Sequence, residues 1–352
     1  MPAASVIRIA GRAVGAGEPC FVIAEAGVNH NGDAAIAADL IRAAAQAGAD
    51  AVKFQTFSAE RLATESSHKA DYQLATTDPA ESQFEMLKRL ELPRAAYPEL
   101  IALSKSQGIL FLSSPFDEDS ADFLEHLAVP AFKIPSGEIT NLPLLEHVAR
   151  KGRPMIVSTG MSDLGDVRSA VECIAGAGNP PLALLHCVST YPAAPSDVNL
   201  RAMQTLRGAF ATPVGYSDHG QGNEIALAAV ALGACIVEKH LTISRGLPGP
   251  DHRASAEPGE LLALVRGIRS VEAALGDGTK KPAASERSTA AAARRSLVAA
   301  RDIPRGTVLT EAHIAVRRPG TGLPPGARPT LLGRRATRDI ASGTLLSPEM
   351  FG

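Results

Sequence analysis

The sequence predicts a (β/α)8 barrel followed by a small β-rich domain. Three observations carry this: eight short apolar runs that end in polar residues, segments of helical Ala/Leu spacing between them, and a change of texture after Leu275. The runs are CFVIAEAG (20–27), AVKFQTF (51–57), ILFLSSPF (109–116), AFKIPSGE (131–138), PMIVSTGM (154–161), LALLHCVS (182–189), TPVGYSDH (212–219) and CIVEKHLT (235–242). Segments such as AAIAADLIRAAAQAG (34–48) and EPGELLALVRGIRSVEAAL (257–275) separate or follow them, with apolar residues at i, i+3 and i+4. Eight such repeats fill the length that a barrel takes, about 250 residues. The competing arrangement is a doubly wound open sheet. It would bring a Gly-rich dinucleotide loop after the first strand, and AEAGVNHNGD has no such pattern.

Beyond the barrel, GDGTKKPAASERST (276–289) reads as a linker. Residues 290–352 hold short runs broken by turn signals, among them RDIPRGTVL, RRPGTGLPPGARP and IASGTLL. The expected organisation is a catalytic barrel at 1–275, a linker at 276–289 and a small domain at 290–352.

Of the 352 residues, 45% are hydrophobic but only 4% aromatic, with no Trp, so the core must be built from Ala, Val, Leu and Ile. The net charge of −2 gives no reason to expect a nucleic-acid partner. It is unevenly spread: residues 280–352 carry 13 Lys+Arg against 5 Asp+Glu, leaving 22 against 32 in the rest. That asymmetry describes a basic module that docks on something acidic. Cys20, Cys173, Cys187 and Cys235 stand singly in or beside apolar runs and read as buried reduced thiols. MPAASVIRIAGRAVG lacks the apolar core of a signal peptide, and IALAAVALGACIV (225–237) is shorter than the roughly 20 residues of a membrane span. The expectation is a cytoplasmic protein with no membrane partner.

Catalytic groups of a barrel sit at the C-terminal ends of its strands. The eight runs present there Glu25; Lys53 and Gln55; Ser113 and Ser114; Lys133, Ser136 and Glu138; Ser158 and Thr159; His186, Ser189 and Tyr191; Ser217, Asp218 and His219; Glu238 and His240. Lys53 and Lys133 lie inside apolar runs, where an ammonium is costly unless an anion meets it. Ringed by hydroxyls, they describe a site for phosphate or carboxylate, and the glycines of SGE (136–138) and STG (158–160) let backbone N–H groups approach an oxyanion. His219 and His240 end the seventh and eighth runs. Adjacent strands lie roughly 5 Å apart, the scale on which two imidazoles share one ion. With Glu25, Asp218 and Glu238 nearby, the pair points to a metal. Two imidazoles without thiolates suit Mn2+ or another divalent cation such as Mg2+, with water completing the shell. LPGPDHRAS (247–255) places Asp251 over the mouth as an acceptor for a substrate hydroxyl.

With these residues placed, the chain resembles the bacterial sialic acid synthases, phosphoenolpyruvate-condensing enzymes that make N-acetylneuraminate and related nonulosonic acids. The resemblance runs through nearly the whole chain: IAEAGVNHNGD, AVKFQTF, ESQFEMLKRLEL, SSPFDEDSADFL, FKIPSGEITNLP, STGM, LHCVSTYP, GYSDH, EKHLT, LPGPDHRAS, ARRSLVAARDI and VRRPGTG. The tail is similar to the family's antifreeze-like (SAF) domain, with Arg318 in its R-P-G motif. The resemblance implies that Lys53, Ser114, Lys133, Ser136, Ser158, Ser189 and Ser217 bind phosphoenolpyruvate and that His219 and His240 hold the metal. It further implies that Glu25, Tyr191, Asp251 and Arg318 bind an acylamino sugar, with Gln55 in the same substrate site. Glu138 would lie beside the reacting carbons and handle a proton. Many members carry an Asn in the loop after YQ, where this chain reads YQLATT (72–77). A domain-exchanged homodimer is the implied assembly.

The expected function is N-acetylneuraminate synthesis from phosphoenolpyruvate and open-chain N-acetylmannosamine, with phosphate released by C–O cleavage. The alternative is synthesis of N,N'-diacetyllegionaminate or another diacylamino acid. A remoter alternative is a non-enzymatic carbohydrate- or ice-binding protein. Ice binding wants a flat face of small residues, and this tail carries Arg294, Arg295, Arg317, Arg318, Arg334 and Arg335.

Overall fold

A computed structural model describes residues 6–352; residues 1–5, the start of the segment read above as lacking a signal-peptide core, lie outside the described residues. The chain forms two compact units, one through Gly276 and one at Asp277–Gly352.

The first unit opens with an antiparallel hairpin, β1 (Val6–Ile9) and β2 (Arg12–Gly15). Eight strands then follow: β3 (Phe21–Gly27), β4 (Ala51–Thr56), β5 (Leu110–Pro115), β6 (Phe132–Ile134), β7 (Met155–Ser158), β8 (Leu182–Cys187), β9 (Val214–Asp218) and β10 (Ile236–His240). They pair in parallel and in sequence order, and β10 closes on β3. The eight apolar runs are thus the eight strands of a closed barrel.

Side chains alternate across each strand, so one parity faces the helices and the other the barrel axis. The outward set, including Val22, Val52, Phe54, Phe132, Val157, Leu184 and Val237, packs with the surrounding helices. The inward set begins with Phe21, Ile23, Ala51, Leu112, Ala131, Ile156, Ala183, Leu185 and Ile236. Ile7, Ile9 and Val14 of the hairpin join that cluster and close the barrel floor. Gly215 belongs to the same parity. A Cβ there would lie 2.4 Å from the Ile236 carbonyl and 2.7 Å from Leu185, so only glycine fits.

Local signals set the helices. Asp33 caps Ala34–Gln46 by accepting from the Ala35 N–H, and Asp163 caps Leu164–Ala177 with Asp166 completing a capping box. The connection 57–109, between β4 and β5, is the longest and carries several short helices over the barrel mouth, including Ala59–Leu62, Asp71–Leu74 and Gln83–Leu90. Among the described residues, no helix is long and apolar enough to cross a membrane.

The second unit has its own core of Leu297, Ile303, Leu309, Ile314, Ile340, Leu346 and Phe351. Strands β11 (Ser296–Ala299) and β12 (Ile314–Arg317) pair antiparallel, and isolated bridges such as Ile303–Ile340 extend the β-rich texture. The segment read as a linker is not wholly irregular: it holds a 3-10 turn at Ala284–Glu286 and the start of helix Arg287–Ala293. That helix receives the R-P-G turn: Arg318 Nε donates to the Ala293 carbonyl and Gly320 N–H to that of Ala291. A Cβ on Gly320 would meet Arg294 Cβ at 2.4 Å.

Candidate active site

Two residues beyond the apolar floor, the inward parity turns polar. Glu25, Lys53, Ser114, Lys133, Ser158, Cys187, Ser217, Glu238 and His240 all continue it. Most of them line a cavity of about 350 Å³ at the barrel mouth, together with Gln55, Ser136, Ser189, Tyr191, His219 and Asp251.

The deepest part of this ring is an ionic lattice. Lys53 Nζ lies 2.6 Å from Glu25 Oε2 and 3.6 Å from Glu238 Oε2, while Lys133 Nζ lies 3.4 Å from Glu238 Oε1. Lys53 also donates to Ser114 Oγ at 3.1 Å, Ser217 Oγ donates to Glu238 at 2.8 Å, and Gln55 donates to Glu25 at 3.2 Å. Burial governs the electrostatics. It pushes the Lys133 ammonium below its ordinary range, against the pull of Glu238. It works against Lys53 too, but Glu238 and Glu25 more than offset it and hold that ammonium up. The carboxylates split in the opposite sense. Burial raises Glu25 against the pull of Lys53; for Glu238 burial is outweighed by Lys133 and Lys53, which hold it low.

Beside Lys133 lies a cradle of hydroxyls. Gly160 N–H donates to Ser136 Oγ at 3.0 Å. A Cβ at Gly160 would sit 2.3 Å from Ser189 Oγ and 2.8 Å from Ser136 Oγ, so the glycine is what lets those hydroxyls converge. Ser158 Oγ is buried with no hydrogen-bond partner among the described residues, ready for an incoming oxygen.

The two histidines meet. Their rings lie 5.5 Å apart between centroids at 67°, and Tyr191 stacks on His219 at 4.2 Å. His219 Nδ1 donates to the Val188 carbonyl at 2.7 Å, which in the neutral ring leaves Nε2 with its lone pair. His240 Nδ1 is buried without a hydrogen-bond partner, 4.0 Å from Asp251 Oδ2. Burial, then His219 and Lys53, push His240 well below the ordinary histidine range, which favours the neutral, ligating form. Among the described residues, no group of three or more His, Cys, Asp or Glu side chains is arranged to hold a metal ion. The buried, unpartnered His240 Nδ1 beside His219 would suit an ion that takes two imidazoles from the protein and its remaining ligands from water or substrate.

Several sequence candidates lie elsewhere. Glu138 follows Ser136 and Gly137 of the cavity wall; its carboxylate accepts from Asn141 Nδ2 at 2.7 Å, and burial raises its carboxyl above the ordinary range against that bond. Ser114 sits behind Lys53 as a hydrogen-bond support rather than in the wall. Asp218 has the outward parity and pairs with Lys239 at 2.7 Å, so it is no companion of the histidines. His186 faces outward to the Val198 carbonyl, Thr159 bonds the Leu185 carbonyl, and Ser113 bonds Thr56. Arg318 is exposed in the second unit.

Sequence reasoning missed other wall residues. Cys187, read as an inert thiol, lies 3.4 Å from Ser136 Oγ and 3.8 Å from His219 Nδ1; Cys173 is only half-buried. Leu62, Met86, Leu87 and Leu90 come from the long β4–β5 connection, whose length was the available signal, and Tyr72 and Gln73 from its 72–77 loop singled out above. Tyr72 packs on Tyr191 at 4.9 Å.

A parallel barrel whose mouth holds two buried lysines, a hydroxyl cradle and a facing imidazole pair defines an enzyme that acts on an anionic substrate. Residues 40–280 match the NeuB family and residues 294–352 the SAF domain. The chain is 47% identical to an N,N'-diacetyllegionaminic acid synthase of Legionella pneumophila, over 94% of each chain. It is also 47% identical to an N,N'-diacetyllegionaminic acid synthase of Campylobacter jejuni, over 93% of this chain and 98% of the other. Among solved structures it is similar to an N-acetylneuraminic acid synthetase of Leptospira borgpetersenii, with a TM-score of 0.73 and 38% identity over 81% of this chain and 95% of that one. The chain belongs to the NeuB family and ends in a SAF domain. It is a phosphoenolpyruvate-condensing transferase of the nonulosonic acid synthase type.

Proposed function

We propose that the enzyme condenses phosphoenolpyruvate with an open-chain hexose bearing two acetamido groups, forming N,N'-diacetyllegionaminate and releasing phosphate. The observation that carries this is the 47% identity to N,N'-diacetyllegionaminic acid synthases, against 38% to the N-acetylneuraminic acid synthetase. The sequence reading put N-acetylneuraminate first, and the identities favour the reverse order.

In this reading Lys53 and Lys133 hold the phosphate and carboxylate of phosphoenolpyruvate, with Ser136, Ser158, Ser189 and Ser217 completing the anion's hydrogen bonds. Glu25, Gln55, Tyr191 and Asp251 face the sugar. Burial raises the Asp251 carboxyl to about 6, against the pulls of His219 and Lys53, and its oxygens accept from a sugar hydroxyl. His219 and His240 hold a divalent cation, Mn2+ or Mg2+. When bound, that cation supplies Lewis-acid polarisation of the sugar's aldehyde oxygen. The bond made is between C3 of the enol and the aldehyde carbon. Water then adds at C2, and the C2–O bond to phosphate breaks. Glu138, whose carboxyl burial raises above its ordinary range, is the candidate for handling a proton near C2, while Glu25 lines the cavity in register with His240 across β3 and β10. The enzyme works in the cytoplasm as a homodimer, with Arg318 of one chain completing the site of the other.

The deciding experiment is phosphate release from phosphoenolpyruvate with two sugars, N-acetylmannosamine and a diacetamido hexose. Higher kcat/KM with the diacetamido sugar is expected. A preference for N-acetylmannosamine would return the assignment to N-acetylneuraminate synthesis.

A further inference from the structure

Asp251 is buried, yet among the described residues its carboxylate accepts no hydrogen bond, and His240 Nδ1 lies 4.0 Å away. A free, desolvated acceptor is useful only if the loop bearing it is held still. The hold comes from elsewhere in the barrel. Ser255 Oγ donates to the Asp251 carbonyl at 2.6 Å and accepts from Asn29 Nδ2 at 2.8 Å; the same amide donates its other proton to the Leu241 carbonyl at 2.9 Å. Asn29 follows β3 and Leu241 follows β10, so one side chain bolts the first strand, the last strand and the Asp251 loop together. A second bolt runs beside it: Thr242 Oγ1 meets His252 Nδ1 at 2.7 Å, and His252 Nε2 meets Asn31 Oδ1 at 3.3 Å. Gly249, at φ +145°, passes between them, where a Cβ would lie 2.8 Å from Asn31 Oδ1 and from His252. The loop's return limb is fixed too, with Ala256 N–H donating to the His240 carbonyl at 2.8 Å.

We infer that Asn29 and Ser255 are positioning residues: through the Asp251 backbone they set the sugar-hydroxyl acceptor over the cavity while leaving its carboxylate unengaged. Asp251 itself is gripped only at its backbone carbonyl, so its carboxylate stays free for ligand. This rests on the reading of Asp251 as a sugar contact. Buried hydrogen bonds of this kind, here using both protons of the Asn29 amide, give a site its preorganisation, and misplacing a contact by about 1 Å costs on the order of a hundredfold.

The test uses Asn29→Asp, which keeps the shape but loses both donated protons, Ser255→Ala, and Ser255→Thr, which keeps the hydroxyl. Kinetics are measured with whichever N-acylated hexose the full-length wild type turns over, and hydrogen exchange of residues 247–256 is read without substrate. Asn29→Asp and Ser255→Ala should raise KM for the sugar by about tenfold or more, with KM for phosphoenolpyruvate unchanged to about twofold. Exchange across 247–256 should quicken in both, and Ser255→Thr should behave like wild type. The inference is overturned if both KM values rise together, if the loop loosens while the sugar KM stays put, or if threonine is as damaging as alanine. Should Asn29→Asp not fold, the Ser255 pair decides alone. A preference of the wild type for N-acetylmannosamine would fail the proposed function and leave this test intact.

Discussion

Replacing Lys53 by Met removes the central cation of the ionic lattice and separates two roles of that residue. Its ammonium lies 2.6 Å from Glu25 and 3.6 Å from Glu238, both buried. At an effective dielectric of about 20 these contacts amount to roughly 6 and 5 kcal/mol of gross attraction, most of it spent on desolvating the three groups. Breaking such a buried arrangement from one side costs about 3–5 kcal/mol, because the carboxylates are left with Lys133 alone. Lys53→Met should therefore lose stability of that order in denaturant unfolding. The double variant Lys53→Met, Glu25→Gln, which removes a charge of each sign, should recover much of the loss. Substrate binding should not recover with it. An unpaired buried phosphate or carboxylate costs roughly 2–5 kcal/mol, so phosphoenolpyruvate should bind about 30-fold to a few thousandfold more weakly in both variants. Calorimetric titration with phosphoenolpyruvate and kinetic titration of the sugar measure the two affinities. If the double variant bound phosphoenolpyruvate as wild type does, Lys53 would be a structural partner of Glu25 and not an anion ligand.

Chelation should abolish turnover and Mn2+ should restore it; full activity of His219→Ala, His240→Ala protein in chelator would sink the metal reading. Acid should destabilise the fold through His30, which burial, against the pull of Asp33, holds down to about 4. Between that value and the ordinary histidine pKa near 6.5 the unfolded chain binds a proton that the folded one refuses, so stability falls as pH drops through this window. The loss attributable to His30 is about 2 kcal/mol from pH 7 to pH 5. Urea unfolding should show a smaller pH 7-to-5 difference in His30→Gln, and an equal difference would refute it. If the proposed homodimer forms, mixing inactive Arg318→Ala with inactive His219→Ala protein should restore activity once subunits exchange. Lasting inactivity after verified exchange would rule out capping in trans.

The barrel was legible because each strand is a short apolar run with a polar end, and helical spacing between runs is hard to mistake. The hairpin was not. VIRI and RAVG are only four residues each, and their turn is Ala10–Gly11, both at positive φ (49° and 83°). That conformation is usually signalled by Asn-Gly or Asp-Gly, so the alanine hid it. Within the site, period-two alternation was the signal that would have sorted the candidates. Counting from the floor residue Ile236 places Glu238 and His240 inward and Lys239 outward; counting from Gly215 places Ser217 inward and Asp218 outward. Glu138 lies outside this rule because β6 ends at Ile134 and the chain turns into a 3-10 helix at Ser136–Glu138, where three residues make a turn.

The same parity explains why the lattice alone is an incomplete trap for phosphoenolpyruvate. Two lysines face two carboxylates, Glu25 and Glu238, so the floor is close to neutral when all four are charged. The ligand brings a carboxylate and a phosphate of about −1.5 to −2. Further positive charge has to come from outside the lattice, and the proposed reading has two sources: a divalent ion on the imidazole pair, and the guanidinium of Arg318. Raising Glu25 toward its protonated form works in the same direction by removing one negative charge from beside Lys53. Anion and cation would then favour each other's binding, and by linkage the coupling must be equal in both directions.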